Sequence, residues 1–172
     1  MDFLTLASGR YSVRSFAEKP VENEKIEKIL CAARYAPTAV NFQPQRIVKV
    51  VGEEALKKLE GCVKKYFPSP LAFIVCYDRN ESWKRKGDGH DSGEVDASIV
   101  ATHMMLEAWE LGIGSVWIGM FYTDKIREEF KLPESVVPVA ILQCGYPSED
   151  SVPGPYHAQS KQIEDFCVTD SF

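Results

Sequence analysis

Apolar and polar positions divide the chain into short helices and strands. Residues 2–9 read as a first helix, and 10–16, RYSVRSF, as an extended segment. From about 22 to 36, Ile26, Ile29, Leu30 and Ala33 keep helical spacing. Pro37 ends that helix, because proline lacks the amide hydrogen that a helix interior needs. Residues 45–51, QRIVKVV, predict a strand. Over 53–66, Leu56, Leu59, Val63 and Tyr66 fall in a narrow stripe and predict a helix. The unbroken apolar run 71–77, LAFIVCY, predicts a buried strand.

The stretch 94–111 predicts the most informative helix. Its ionisable positions Asp96, His103, Glu107 and Glu110 fall within about 60° of one another. The remainder is nearly all apolar or small, including Ala97, Val100, Ala101, Met104, Met105 and Ala108. Such a helix is buried either at the centre of a core or by a second subunit. A chain of this size leaves little room at its centre, so a dimer interface is expected. Gly112 and Gly114 close the helix, and 115–118 forms a strand. Thr123 is expected to cap a short helix through Lys131. Residues 136–144, VVPVAILQC, predict another buried strand, ended by Gly145-Tyr146-Pro147. Helices and strands do not alternate strictly, so the fold class is α+β rather than doubly wound.

Composition narrows the function classes. The 172 residues are 45% apolar and 26% charged, as in an ordinary globular protein with one domain's worth of core. A formal net charge of -5 argues against a nucleic-acid partner, which calls for a basic face. The start, Met1-Asp2-Phe3, does not read as a signal peptide, and no apolar run is long enough to cross a bilayer. A cytoplasmic protein with no membrane partner is expected. Cys31, Cys62, Cys76, Cys144 and Cys167 are odd in number and widely spaced, which reads as reduced thiols, mostly filling core space.

Four segments carry candidate chemistry. In the extended stretch 10–16, alternate side chains share a face, so Arg10, Ser12 and Arg14 project together. Two guanidinium forks flanking a hydroxyl suit a phosphate, although an exposed polar strand edge would read the same way. In Pro37-Thr38-Ala39-Val40-Asn41-Phe42-Gln43-Pro44, two amides stand two residues apart between prolines. They suit a uracil-like ring edge or a sugar hydroxyl; the alternative is a helix-stop turn. Gly112, Gly114 and Gly119 permit close backbone approach to a flat ligand, or simply terminate a helix before a strand. Residues 79–93, RNESWKRKGDGHDSG, have no helical or strand period. They are either a disordered connector or a loop in which Trp83 and the Lys84-Arg85-Lys86 run border a binding slot. His90, His103 and His157 show no metal-ligand spacing, and no metal site or nucleophile–base pair is proposed.

Taken in order, RYSVRSF, APTAVNFQPQRIVKV, GEVDASIVATHMMLEAWELGIGSVWIG and LPESVVPVAILQCGYP resemble the nitroreductase family of FMN proteins over residues 8 to 147. The resemblance implies a nitroreductase-like α+β fold, a central mixed sheet flanked by helices in an intertwined homodimer. It implies one FMN-binding domain over 1–172, whose tail 147–172 reaches the partner. It implies FMN as cofactor, with Arg10, Ser12 and Arg14 on the phosphate and the polar part of the flavin. Thr38, Ala39 and Asn41 would approach the flavin from the partner chain, and the backbone of Trp117, Ile118 and Gly119 would lie beside the ring. Tyr11, Pro37, Gln43 and Lys161 join the expected cofactor contacts, and Phe42 and Trp83 the expected substrate contacts. The sequence departs from the family pattern at Ser160, where an arginine is common, and at Gln45, where an aromatic is frequent.

The reaction implied is transfer of electrons from NAD(P)H through flavin to an electron-poor acceptor such as a nitroaromatic or quinone, with the flavin rather than a catalytic side chain carrying the chemistry. The alternatives are a flavin enzyme with another natural reaction, such as reductive dehalogenation or flavin breakdown, and a non-catalytic flavin carrier or redox sensor.

Overall fold

The computed structural model describes residues 2–171. Helix α1 (Phe3–Gly9) starts at Asp2, whose carboxylate accepts the Thr5 amide at 3.1 Å. Helix α2 (Asn23–Tyr35) buries Ile26, Ile29 and Ala33 and stops at Ala36, which is extended before Pro37 as the proline ring requires. Strand β1 (Gln45–Val51), helix α3 (Glu53–Cys62), strand β2 (Leu71–Asp78), helix α4 (Gly93–Glu110), strand β3 (Gly114–Ile118), helix α5 (Thr123–Glu129) and strand β4 (Val136–Gly145) follow.

The strands form one sheet in the order β1-β2-β4-β3, and every ladder is antiparallel. The expected mixed character is confined to one isolated parallel bridge, between Ser12 and Ser115. Alternation along β2 loads both faces of the sheet. Leu71, Phe73 and Val75 pack with Ile26 and Ile29 of α2 and Val100 and Met104 of α4. Ala72, Ile74 and Cys76 pack with Leu59 of α3 and Ile126 of α5. β2 is thus apolar throughout because both of its faces are covered, as expected of a buried strand.

Several expectations need correction. Helix α3 ends at Cys62 rather than 66: Val63 is extended and bridges Phe121 from the other side of the core. The stripe of Val63 and Tyr66 is still buried or half-buried, but by extended chain. Tyr122, not Thr123, occupies the cap position of α5, with no side-chain cap, and α5 ends at Glu129. Cys62, Cys76 and Cys144 are buried, whereas Cys31 and Cys167 are exposed. Burial pushes the Cys76 and Cys144 thiols up to about 12, so they stay protonated and inert.

The reading of α4 changes most. Ala97, Val100, Ala101, Met104, Met105 and Ala108 are buried within this chain, between α2 and the sheet. Much of the apolar girth of α4 is thus covered by its own core, while Val95 is 51% exposed and Ile99 half-buried. Asp96, expected on a solvated face, is 2% exposed. Residues 79–92 are an ordered turn: Lys84 bridges Asp91, Arg85 N–H donates to His90 O at 2.9 Å, and Ser92 N–H donates to Trp83 O at 3.0 Å.

A polar clasp ties α2 to the far end of α4 and to β4. Lys25 Nζ donates to Leu111 O at 2.7 Å and to the Tyr146 hydroxyl at 2.9 Å. That hydroxyl donates to Glu22 at 2.7 Å. The hydroxyl, with the Lys19 ammonium at 3.2 Å, holds the Glu22 carboxyl down to about 2 from the usual 4.5. A depressed carboxyl contributes stability above its ordinary pKa, and that contribution is lost as pH falls toward 2. Tyr146→Phe should therefore lower the melting temperature at pH 7, and the gap from the parent protein should shrink between pH 4.5 and 2. A gap that is equal at pH 7 and pH 2 in thermal unfolding would contradict this assignment.

Candidate functional site

The segment after α1 lies against β3. Val13 N–H donates to Ser115 O at 3.0 Å, and Val13 is fully buried. Its isopropyl group fills the space that a side chain at residue 114 would take: a Cβ on Gly114 would stand 2.5 Å from Val13 Cγ2. The expectation that Gly114 admits a ligand is corrected, because it admits Val13. Gly112, at φ 75°, makes the turn out of α4. Gly112 and Gly119 both open on free space, and of the two only Gly119 lines a cavity, with Trp117 Nε1 at 3.8 Å from a built Cβ.

With Val13 pointing inward, alternation turns Ser12 and Arg14 the other way. Arg14 Nη1 donates to Ser12 O at 3.1 Å, which steadies the guanidinium beside the strand. The start of the C-terminal tail covers this segment. Ser148 N–H donates to Ser15 O at 3.1 Å, and the Tyr11 hydroxyl donates to Ser151 O at 3.3 Å. Tyr11 also stands edge-on to Trp109 and to His157.

Arg14 and the end of β3 share an open cavity of about 470 Å³ with Lys64, Lys65 and Phe67. Trp117, Ile118, Gly119 and Met120 form its other wall. Lys64 arrives because its N–H donates to Met120 O at 3.2 Å, next to the Val63–Phe121 bridge. Lys65 Nζ sits 5.2 Å from the Phe67 ring centre. Three cations, an apolar wall and a glycine-bordered backbone edge line this slot, with no Asp or Glu among the described residues that line it. That donor set fits a flat aromatic cofactor with an anionic arm, such as FMN. Arg14, Lys64 and Lys65 would take the anionic part, and the 117–119 backbone the ring.

Lys64 and Lys65 are the residues that the sequence reading missed. They fell inside the predicted helix 53–66, where a lysine pair looks like a solvated face. Of the expected site residues, Arg14, Trp117, Ile118 and Gly119 meet in the slot; Arg10, Tyr11 and Ser12 do not line it, nor does exposed Lys161. Trp83 is half-buried in its turn and does not line the slot either. The neighbouring cations are partly spent: Lys84 pairs with Asp91 at 2.6 Å and Arg85 with Asp88.

The Pro37–Pro44 loop forms a separate feature. Val40, Asn41 and Gln43 adopt φ of 47°, 58° and 52°. This left-handed region is costly for a β-branched residue such as Val40, on the order of 1–3 kcal/mol. The prolines alone do not hold the loop. Thr38 Oγ1 accepts the Gln43 N–H at 3.0 Å, and Asp96 Oδ1 accepts the Ala39 N–H at 2.9 Å. Val40 and Phe42 are 64% and 53% exposed, and Asn41 and Gln43 also face outward. None of Pro37 to Gln43 lines the slot of the same chain.

Comparison with known proteins adds a family. The sequence profile of the nitroreductase family matches residues 7–72 and 60–146. A nitroreductase family protein from Clostridium difficile 630 is 39% identical with a TM-score of 0.93, covering 100% of both chains. An FMN-dependent nitroreductase from Clostridium difficile R20291 is 29% identical with a TM-score of 0.76, covering 92% of this chain and 98% of its own. A Methanothermobacter thermautotrophicus protein, provisionally named NADH dehydrogenase/NAD(P)H nitroreductase, is 35% identical over 159 residues, which is 87% of this chain and 80% of that protein.

The two glycines of β3 and its exit should respond differently to an added methyl. Gly114→Ala drives Val13 off β3 and should cost about 1–3 kcal/mol of stability, with weaker FMN binding because Arg14 moves with Val13. Gly119→Ala should leave the melting temperature unchanged and still weaken FMN binding, by obstructing the slot. Thermal unfolding paired with flavin titration distinguishes them; equal stability losses would refute the two roles.

Proposed function

Because this chain belongs to the nitroreductase family and is an FMN-dependent NAD(P)H oxidoreductase, we propose that it reduces an electron-poor acceptor, of nitroaromatic or quinone type, as a homodimer in the cytoplasm. The observation that carries the reading is the slot in which three cations meet the open backbone edge at Gly119. FMN, when bound, would supply the electron-transfer chemistry between nicotinamide and acceptor. The chain's own contribution is binding and electrostatics. Arg14, Lys64 and Lys65 hold the anionic arm and stabilise negative charge that develops in the slot, and the 117–119 amides add fixed dipoles at the ring edge. Arg10, Tyr11 and Ser12 steady the segment that carries Arg14, and Lys161 of the tail adds a further cation. No side chain is assigned a proton-transfer step.

Two observations support a shared site in a homodimer. The strained loop bearing Thr38, Ala39, Asn41, Phe42 and Gln43 lies apart from the slot of its own chain, so it serves the slot of the partner. The tail leaves Tyr156, Ile163 and Phe166 between 64% and 77% exposed, an apolar series that a second subunit would cover. Phe42 would then border the space that donor and acceptor occupy in turn. Free thiols throughout fit a reducing compartment. Helices long and apolar enough to cross a membrane are absent among the described residues.

The purified protein should be yellow and should oxidise NAD(P)H with a nitroaromatic or quinone acceptor faster than free FMN does; a rate no faster than free FMN would leave only flavin carriage. Arg14→Ala should weaken FMN binding by about 1.5–3 kcal/mol, the value of a hydrogen bond to a charged group, with the fold intact. Unchanged affinity in a fluorescence titration would remove Arg14 from the site. Light scattering at micromolar concentration should report a dimer; a monomer would sink the shared-site arrangement.

A further inference from the structure

Asp96 is a buried acid that the reading so far does not use. It lies in the first turn of α4 and is 2% exposed, and no ion pair reaches it among the described residues. Both of its oxygens are nonetheless committed. Oδ1 accepts the Ala39 N–H at 2.9 Å, and Oδ2 accepts the Ser92 hydroxyl at 2.9 Å. Ser92 is itself 7% exposed, and its carbonyl accepts the Asp96 N–H at 2.8 Å, so the carboxylate is pinned to the start of the helix.

A buried carboxylate is costly unless its hydrogen bonds return the cost, and here one of them leaves the helix altogether. It reaches across 57 residues of sequence to the residue before Val40. That is where the chain enters its left-handed run at Val40, Asn41 and, one residue beyond Phe42, Gln43. The turn closes on itself through two short-range backbone bonds, Asn41 N–H to Thr38 O at 3.0 Å and Phe42 N–H to Ala39 O at 3.1 Å. A strained loop with exposed tips persists only when its surroundings over-determine it. Apart from the Thr38 side-chain bond within the loop, the bond from Ala39 to Asp96 is the side-chain tie that fixes it from below.

We propose that Asp96 is a positioning residue: through the Ala39 amide it locks the 38–43 loop in its strained shape, so that Asn41, Phe42 and Gln43 are set for the flavin slot before any ligand arrives. The role rests on the shared-site reading above. It makes the first turn of α4 the support of one half-site, in the way Val13 supports the other.

Two substitutions separate positioning from general stability. Asp96→Asn keeps an oxygen acceptor for the Ala39 N–H and an amide that can donate to the Ser92 hydroxyl. Asp96→Ala removes both. Amide hydrogen exchange at Ala39 to Gln43 should rise at least about tenfold in Asp96→Ala and return close to the parent rate in Asp96→Asn, one tenfold step being what a typical hydrogen bond confers. FMN affinity should fall about tenfold in Asp96→Ala only. With the acceptor varied, KM should rise more than kcat falls. Should Asp96→Ala fail to fold, the Asp96→Asn protein still tests the proposal, because it must keep both loop protection and flavin affinity. Unchanged exchange at Ala39 in Asp96→Ala, or exchange raised equally in both variants, would overturn the positioning role whether or not the shared site stands. Raised exchange with intact flavin and acceptor constants would show that the loop is held by Asp96 but does not serve the slot, which overturns the proposal through the shared site instead.

Discussion

The packing of α4 onto the sheet is the constraint on which the remaining geometry depends. Small residues let the helix come close: Ala97, Ala101 and Ala108 are fully buried, and a Cβ on Gly93 would fall 2.0 Å from the Tyr77 ring. Met104 and Val100 fill the space beside Phe73 and Leu142. Burying each such larger side chain is worth about 1.5–3 kcal/mol, enough for this interface to fix where both ends of the helix lie. At one end Asp96, held by Ser92, reaches the loop before β1. At the other, Leu111 is tied to Lys25, and Gly112 turns the chain into β3, where Val13 closes over Gly114.

The loop held at the start of α4 and the slot at the far end of β3 are built on different physics. At the slot the determining quantity is charge. A chain with a net charge of -5 gathers Arg14, Lys64 and Lys65 around one cavity with no acid among the lining residues. At the loop it is conformational strain, held in place by a buried carboxylate. The two surfaces do not meet within one chain, and the loop tips and the tail leave Val40, Phe42, Tyr156, Ile163 and Phe166 exposed.

Much of the fold could be read from the order of residues. Continuous apolar runs in β2 and β4 and the helical spacing in α2 are local, and burial on both sheet faces preserves them. Pro37 ended α2 as proline chemistry requires. Thr123 and residues 63–66 were misread because the competing forces are not local. Lys64 is drawn to Met120 by a backbone hydrogen bond to a segment more than fifty residues away, and no stripe on a helical wheel reports that.

The sequence by itself determined the elements, the alternation that points Arg14 outward from Val13, the order of motifs that marks the family, and the unusual apolar girth of α4. Only the tertiary structure decided what packs against that girth, which glycine borders the open slot and which faces Val13, that Lys64 and Lys65 line the slot, and that Asp96 is buried rather than a solvated charge. The division has a physical reason. Periodicity and backbone propensity act over a few residues and are written in the local order. Burial, hydrogen-bond partnership and charge clustering depend on which distant residues the packed sheet and α4 bring within a few ångströms of one another.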